Sequence, residues 1–147
     1  MSRLSRSVVS RMNTNNLASI NLKLLKMMLE MNPFGSVSIT LAHNGEEAVD
    51  LTSTMQFDMV VMDVHMPRSK LCIQRSAHFL IDIAVNGMQA TKKIRAIELI
   101  PTKIVALSAD VMSTTYNECI KAGMDSFLTK PIDREKLNEL LHLYCFS

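Results

Sequence analysis

Carboxylates are absent from the start of this sequence: Glu30 is the first acidic residue, although the chain as a whole holds 14 Asp and Glu against 16 Lys and Arg. No metal cluster of acidic residues can therefore be built on the N-terminal segment. Residues 1–16, rich in serine and arginine, resemble a transit peptide in composition but have weak amphipathic periodicity, and they read as an atypical leader, disordered or misannotated. A strong charge of one sign is also lacking, since a net charge of +2 is too small to argue for a nucleic-acid partner. Cysteine is scarce. Cys72, Cys119 and Cys145 are odd in number and form neither a CxxC pair nor a ligand-like spacing with histidine, which argues against a disulfide framework or zinc site and for reduced, intracellular thiols. No apolar run approaches the roughly 20 residues needed to span a bilayer, and no secretory signal is visible. The expectation is an intracellular, cytoplasmic protein with no membrane partner. Repeats and inter-domain linkers are missing, and 147 residues suit one domain with a sizeable core. The 12 methionines fall at core-like positions and read as gap fillers.

What is present centres on VVMDVHMP, residues 60–67. The apolar run 59–62 reads as a strand buried on both faces, as in a parallel sheet covered by helices. Asp63 then sits at the carboxyl end of that strand, the edge at which open α/β sheets bind ligands. Aspartate also commonly caps strands or opens turns, which is the plain alternative. Two further runs argue against it. KIVALSA (103–109) is a second buried-strand pattern ending in the hydroxyl of Ser108, and SFLTKP (126–131) is a third ending in Lys130. A carboxylate, a hydroxyl and an ammonium on one sheet edge suit a phosphoryl group carried on a carboxylate. Asp63 is then the nucleophile, Lys130 its cationic partner and Ser108 a hydrogen-bond donor.

With FDMVVMDVHMP, NGMQATKKIR, KIVALSA and KAGMDSFLTKP, and more weakly AHNGEEAVD and NLKLLKMML, the chain resembles the receiver domains of response regulators in two-component His-Asp phosphorelays. The resemblance runs from about Asn21 to Leu143 and implies a flavodoxin-like, three-layer α/β fold with a five-stranded parallel sheet of order 2-1-3-4-5. It implies that Asp63 is the phosphoacceptor, that Ser108 and Phe127 are the switch residues, and that Lys130 contacts the phosphoryl group through a strand end followed by a cis Lys130–Pro131 bond. The implied partner is a histidine kinase or a histidine-containing phosphotransfer protein. The implied role is a signalling module, not an enzyme, with no DNA-binding module following residue 143.

The remaining elements follow from period and caps. Leu22, Leu25, Met28 and Leu29 predict a first helix over 20–31, stopped by Asn32-Pro33. Residues 37–42 read as a strand, with His43 in the loop after it, and Asn44-Gly45 opens a helix whose first turn carries Glu46 and Glu47. Residues 88–99 predict a third helix ended by Pro101. Residues 114–122 predict a fourth, closed by Gly123, and Asp133 caps a last helix striped by Leu137, Leu140 and Leu141.

Two departures from the family pattern stand out. The family's first strand ends in an acidic pair that helps to hold magnesium. Counting back from Asn21 puts that pair at Asn16 and Leu17, neither of them acidic, so the first strand is in doubt unless Val8 and Val9 supply a substitute. Magnesium is expected to bind weakly, with Asp63, the backbone carbonyl of His65 and at best Asn16 as ligands. Secondly, 18 residues separate Pro67 from Asn86, where the resemblance implies a short turn. The excess, residues 69–84, is unusually apolar for a loop and too long for one without structure. It reads as translated intron or an alternative product in preference to a regulatory insertion. His78 and Asp82, four apart within it, read as a solvated pair and not as a metal site.

The domain is thus expected over residues 17–147, interrupted at 69–84. A degenerate receiver that works as a phosphorylation-independent protein-binding module is the alternative. A phosphatase of the haloacid dehalogenase kind fits less well, because His65 stands where its second aspartate is expected. Deleting residues 69–84 is expected to raise the melting temperature and to speed phosphoryl uptake, by up to about a hundredfold if it returns a reacting group displaced by about 1 Å. Thermal melts and phosphorylation time courses on both chains check this. A deletion that melts lower and reacts more slowly would show that the segment belongs to the fold.

Overall fold

The computed structural model describes residues 6–11, 16–42, 45–64, 87–97, 101–109 and 112–147. Its frame is set by two apolar strands, β3 (Met59–Asp63) and β4 (Lys103–Ser108), in which Met59 to Met62 and Ile104 to Ser108 are all buried. A strand projects successive side chains to opposite faces. Met59, Val61, Val105 and Leu107 accordingly enter one core, while Val60, Met62, Ile104 and Ala106 enter another.

Helices cover both faces. On the first lie α1 (Asn16–Glu30), through Leu25 and Leu29, and α5 (Arg134–Leu141), through Leu137, Leu140 and Leu141. On the second lie α2 (Gly45–Thr54), through Ala48, α3 (Gly87–Ile97), through Ala90 and Ile94, and α4 (Ser113–Ala122), through Cys119. With β1 (Arg6–Arg11), β2 (Val37–Ala42) and β5 (Ser126–Thr129), the strands form a parallel sheet of order β2-β1-β3-β4-β5. This is the flavodoxin-like three-layer architecture expected.

The expectation of a leader over 1–16 does not hold for residues 6–11, and the substitute first strand weighed for Val8 and Val9 is the one present. Arg6–Arg11 forms β1 and occupies the middle of the sheet, with Arg6 to Arg11 opposite Val37 to Ala42 on one side and Val8 to Arg11 opposite Met59 to Met62 on the other. Val8 and Val9 are its only strong strand formers. Two flanking ladders supply the backbone pairing that intrinsic propensity would not. Asn16 consequently opens α1 several residues beyond the end of β1, so the first helix starts earlier than its apolar period indicates. The insertion at 69–84, with Cys72, His78 and Asp82, lies outside the described residues, as do His43 and the last two residues of the expected third helix.

Local chemistry sets the ends of the later helices. Gly123 closes α4 at φ 106°, in the left-handed region, with its N–H donating to the Ile120 carbonyl at 3.0 Å and that of Met124 donating to Cys119 at 3.1 Å. A Cβ on Gly123 would stand 3.0 Å from Cγ of Arg95, so space as well as φ favours glycine. Asp133 caps α5, its Oδ1 accepting from the backbone N–H groups of Glu135 at 2.9 Å and Lys136 at 3.4 Å. A π-helical turn, His142–Phe146, continues α5 and brings the Tyr144 hydroxyl within 2.6 Å of Ser126 Oγ on β5.

At the amino-terminal edge of β4 and β5, Arg95 of α3 ties three segments together. Its Nε donates to the Gly123 carbonyl at 2.9 Å, Nη1 to the Thr102 carbonyl at 2.6 Å and Nη2 to Asp125 Oδ2 at 2.7 Å. The same Asp125 oxygen accepts from the Ile104 N–H at 2.9 Å. Both side chains of the ion pair are mostly shielded, at 23% and 28% exposure, whereas the Lys26–Glu30 pair on α1 is 52% and 57% exposed. Arg95→Ala is therefore expected to cost about 1.5 to 3 kcal/mol, the range for hydrogen bonds to charged groups. Lys26→Ala should cost at most about 1 kcal/mol. Paired denaturant titrations monitored by circular dichroism check the contrast, and equal losses would contradict it.

Candidate functional site at the carboxyl edge of the sheet

Parallel strands all end at one edge, and the register decides which residues meet there. Asp63 closes β3 opposite Leu107 of β4, and the Val64 N–H carries the ladder one step further by donating to the Leu107 carbonyl at 3.0 Å. Ser108 closes β4 opposite Thr129, the last residue of β5. Lys130 follows, and its backbone N–H donates to the Ser108 carbonyl at 2.8 Å. Asp63, Ser108 and Lys130 thus lie at the ends of three consecutive strands, the outer two roughly 10 Å apart at ordinary strand spacing. Ser108 is fully buried and Lys130 half-buried. The Lys130–Pro131 bond is cis, as the resemblance implied.

Phe127 lies on β5 in register with Ala106 and packs, half-buried, against the core of the second face. Tyr116 of α4 meets it at a centroid distance of 5.9 Å and an interplanar angle of 57°, a tilted geometry that aromatic pairs favour. The sequence reading missed Tyr116 as the partner of Phe127; the available signal was an aromatic on the otherwise polar stretch of α4. Nearby nucleophiles are poor rivals to a carboxylate. Burial, helped by Glu118, pushes the Cys119 thiol up from its usual range, so it stays protonated in the core.

The expected metal ligands fare differently. Asn16 stands in the first turn of α1 and not at the end of β1, because β1 uses residues 6–11. The carboxyl end of β1 is Arg11, opposite Met62, which immediately precedes Asp63. His65 lies outside the described residues. Among the described residues no group of three or more His, Cys, Asp and Glu is placed to hold a metal ion. Magnesium prefers oxygen ligands that include one or two carboxylates. With no acidic residue before Glu30 and arginine at the end of β1, the residues present do not fit a centre built on an acidic pair.

Comparisons with known proteins bear on the family and the fold. The family described as the response regulator receiver domain matches residues 18–142. The osmosensing histidine protein kinase SLN1 of Saccharomyces cerevisiae is 35% identical over 131 residues, covering 86% of this chain and 9% of that protein. Histidine kinase 5 of Arabidopsis thaliana is 28% identical over 152 residues, covering 85% of this chain and 14% of that protein. The chain thus spans only a small fraction of these relatives. Among solved structures, the receiver domain of a Pseudomonas aeruginosa sensor histidine kinase, with magnesium coordinated in its active-site cleft, superposes with a TM-score of 0.73 at 24% identity, covering 97% of this chain and 99% of that one. The receiver domain of the yeast response regulator Ssk1, crystallised with the phosphotransfer protein Ypd1, gives a TM-score of 0.71 at 23% identity, covering 95% and 88%. At these identities the structures show a common fold.

A double-mutant cycle with Tyr116→Ala and Phe127→Leu is expected to show a coupling of about 0.5 to 1.5 kcal/mol, the range for aromatic pairs. Urea denaturation of the four proteins measures it. Strict additivity would mean that the tilted contact contributes nothing beyond the area it buries.

Proposed function

Because this chain belongs to the response regulator receiver domain family of two-component phosphorelay signalling, matched over residues 18–142, we propose that it accepts a phosphoryl group from a phosphohistidine donor onto Asp63. The observation that carries this reading is the register that puts the ends of β3, β4 and β5, and with them Asp63, Ser108 and Lys130, on one sheet edge. In the transfer, a carboxylate oxygen of Asp63 forms a bond to phosphorus as the bond from phosphorus to the donor imidazole nitrogen breaks. The electron pair returns to that nitrogen, which takes up a proton, and an acyl phosphate is left on Asp63. Lys130 supplies an ammonium and Ser108 a hydroxyl to the transferred oxygens, charge-assisted contacts stronger than neutral ones. Phe127, in contact with Tyr116, reports the change to the surface of α4.

The donor is a histidine kinase or a histidine-containing phosphotransfer protein. Support comes from the histidine kinases among its relatives and from the Ssk1 receiver crystallised with Ypd1. The chain has no turnover on a free substrate in this reading and works in the cytoplasm, without nucleic acid or membrane as partner. No helix among the described residues is long and apolar enough to cross a membrane. A second reading, a protein-binding module that works without phosphorylation, is favoured by one feature, the lack of any carboxylate before Glu30.

Incubation with acetyl phosphate or a phosphorylated phosphotransfer protein is expected to label the wild-type chain with one base-labile phosphoryl group. Asp63→Asn should take up none. Lys130→Ala should retain some label but weaken the response by about the 1.5 to 3 kcal/mol of a charged hydrogen bond. Equal labelling of Asp63→Asn would remove Asp63 from the reaction, and absence of label from every donor would favour the second reading.

A further inference from the structure

We propose that the outer edge of β2 docks a second copy of this chain, the two β2 strands pairing antiparallel about a twofold axis at Ile39 so that two five-stranded sheets become one. β2 closes the sheet on one side, and among the described residues no strand lies beyond it. An edge strand turns a row of N–H and C=O groups outward, and natural proteins guard such rows with short strands, charge or proline. The opposite edge has all three. β5 is only four residues long, Asp125 and Lys130 flank it, and Pro131 follows. β2 runs for six residues, three of them β-branched, and neither charge nor proline stands between Pro33 and His43. An edge of that length with no such guard is a template for another strand.

The pattern of β2 fits its own copy. Strand alternation puts positions 37, 39 and 41 on the first face, where Val37 and Ile39 pack half-buried against the core, and positions 38, 40 and 42 on the second, where Ala42 is buried. A twofold axis normal to the sheet keeps each face on its own side, so only residues of one face can meet. An axis at Ile39 sets that residue against the partner's Ile39, Ser38 against the partner's Thr40, and position 37 against position 41 of the other copy. Apolar residues then meet apolar ones, and hydroxyl meets hydroxyl, the cross-strand pairs that stabilise antiparallel strands. An axis at Thr40 would leave Val37 unpaired. A twofold axis also sets every charge near it against a like charge, and β2 has none to oppose. Six residues make an edge roughly 20 Å long and about 10 Å deep, on the order of 200 Å² per copy against the roughly 800 Å² of a standard stable interface. The dimer is accordingly weak and reversible. Antiparallel pairing turns the two carboxyl edges to opposite ends of the joint sheet, so the two candidate sites face opposite ways.

The test uses the full chain without a phosphodonor, so its failure leaves the reading of Asp63 untouched. Sedimentation equilibrium is followed over a wide range of concentration, with amide hydrogen exchange read over residues 37–42 in dilute and concentrated samples and circular dichroism as the check on folding. Wild type is expected to pass from monomer to dimer, with exchange at 37–42 slowing as the dimer fills. Ser38→Glu combined with Thr40→Glu sets like charges opposite each other twice across the axis and should weaken the dimer about tenfold. Ser38→Lys combined with Thr40→Glu changes the same two positions but sets opposite charges together, and should restore wild-type affinity or better. A merely structural effect of the substitutions would move both variants alike. A wild type that stays monomeric or assembles beyond the dimer would overturn the inference, as would a dimer that both charge variants weaken or that neither weakens. So would equal exchange at residues 37–42 in dilute and concentrated wild type, since the edge is then covered within one chain or the copies meet elsewhere. That exchange needs no variant, and it decides the point even if a variant fails to fold.

Discussion

The sheet depends on a ladder that its own sequence supports weakly. β1 is the sheet neighbour of β2 on one side and of β3 on the other, so its six residues hold β2 to the rest of the domain. A strand in that place needs no strong propensity, because both rows of its backbone groups are paired and an unpaired buried N–H or C=O is costly. What it cannot tolerate is a shift of register. Sliding β1 by one residue would exchange its faces.

The two ends of the sheet do different work. At the amino-terminal edge, Arg95, Asp125 and the backbone of Thr102, Gly123 and Ile104 form a partly shielded network that joins α3 to the starts of β4 and β5. Tyr144 adds a link from the C-terminal turn to Ser126, and its ring lies 5.6 Å from the Lys103 ammonium. A site whose members come from different strands is only as well placed as the ladder beneath it, and here the ladder continues past the strand ends through the N–H groups of Val64 and Lys130.

The resemblance implied an acidic pair at the end of the first strand, and this chain has no acidic residue before Glu30. The fold is retained, with its neighbours superposing at TM-scores of 0.73 and 0.71, while the end of β1 carries arginine. The fold fixes where a residue stands, and the chemistry at that place is a separate matter. A change of side chain at a strand end leaves every strand pairing intact, since the ladder is made by backbone groups.

Much of this was legible from residues alone. The ends of β3 and β4 could be read because strands buried on both faces are continuous apolar runs, and the first polar residue after such a run marks the edge. The Gly123 and Asp133 caps could be read because capping is local chemistry, settled within a few residues. The first strand could be read only as a substitute at Val8 and Val9, since RSVVSR is a strand by virtue of partners contributed by residues 37–42 and 59–62. That single non-local fact also moved the end of β1 from the expected Asn16 and Leu17 back to Arg11, because counting back from a helix assumes a loop length that the sequence does not state. The pairing of Arg95 with Asp125, 30 residues apart, and that of Tyr116 with Phe127 were decided in the same way. Each needs two elements packed against one face, and a contact of that kind leaves no period in the chain.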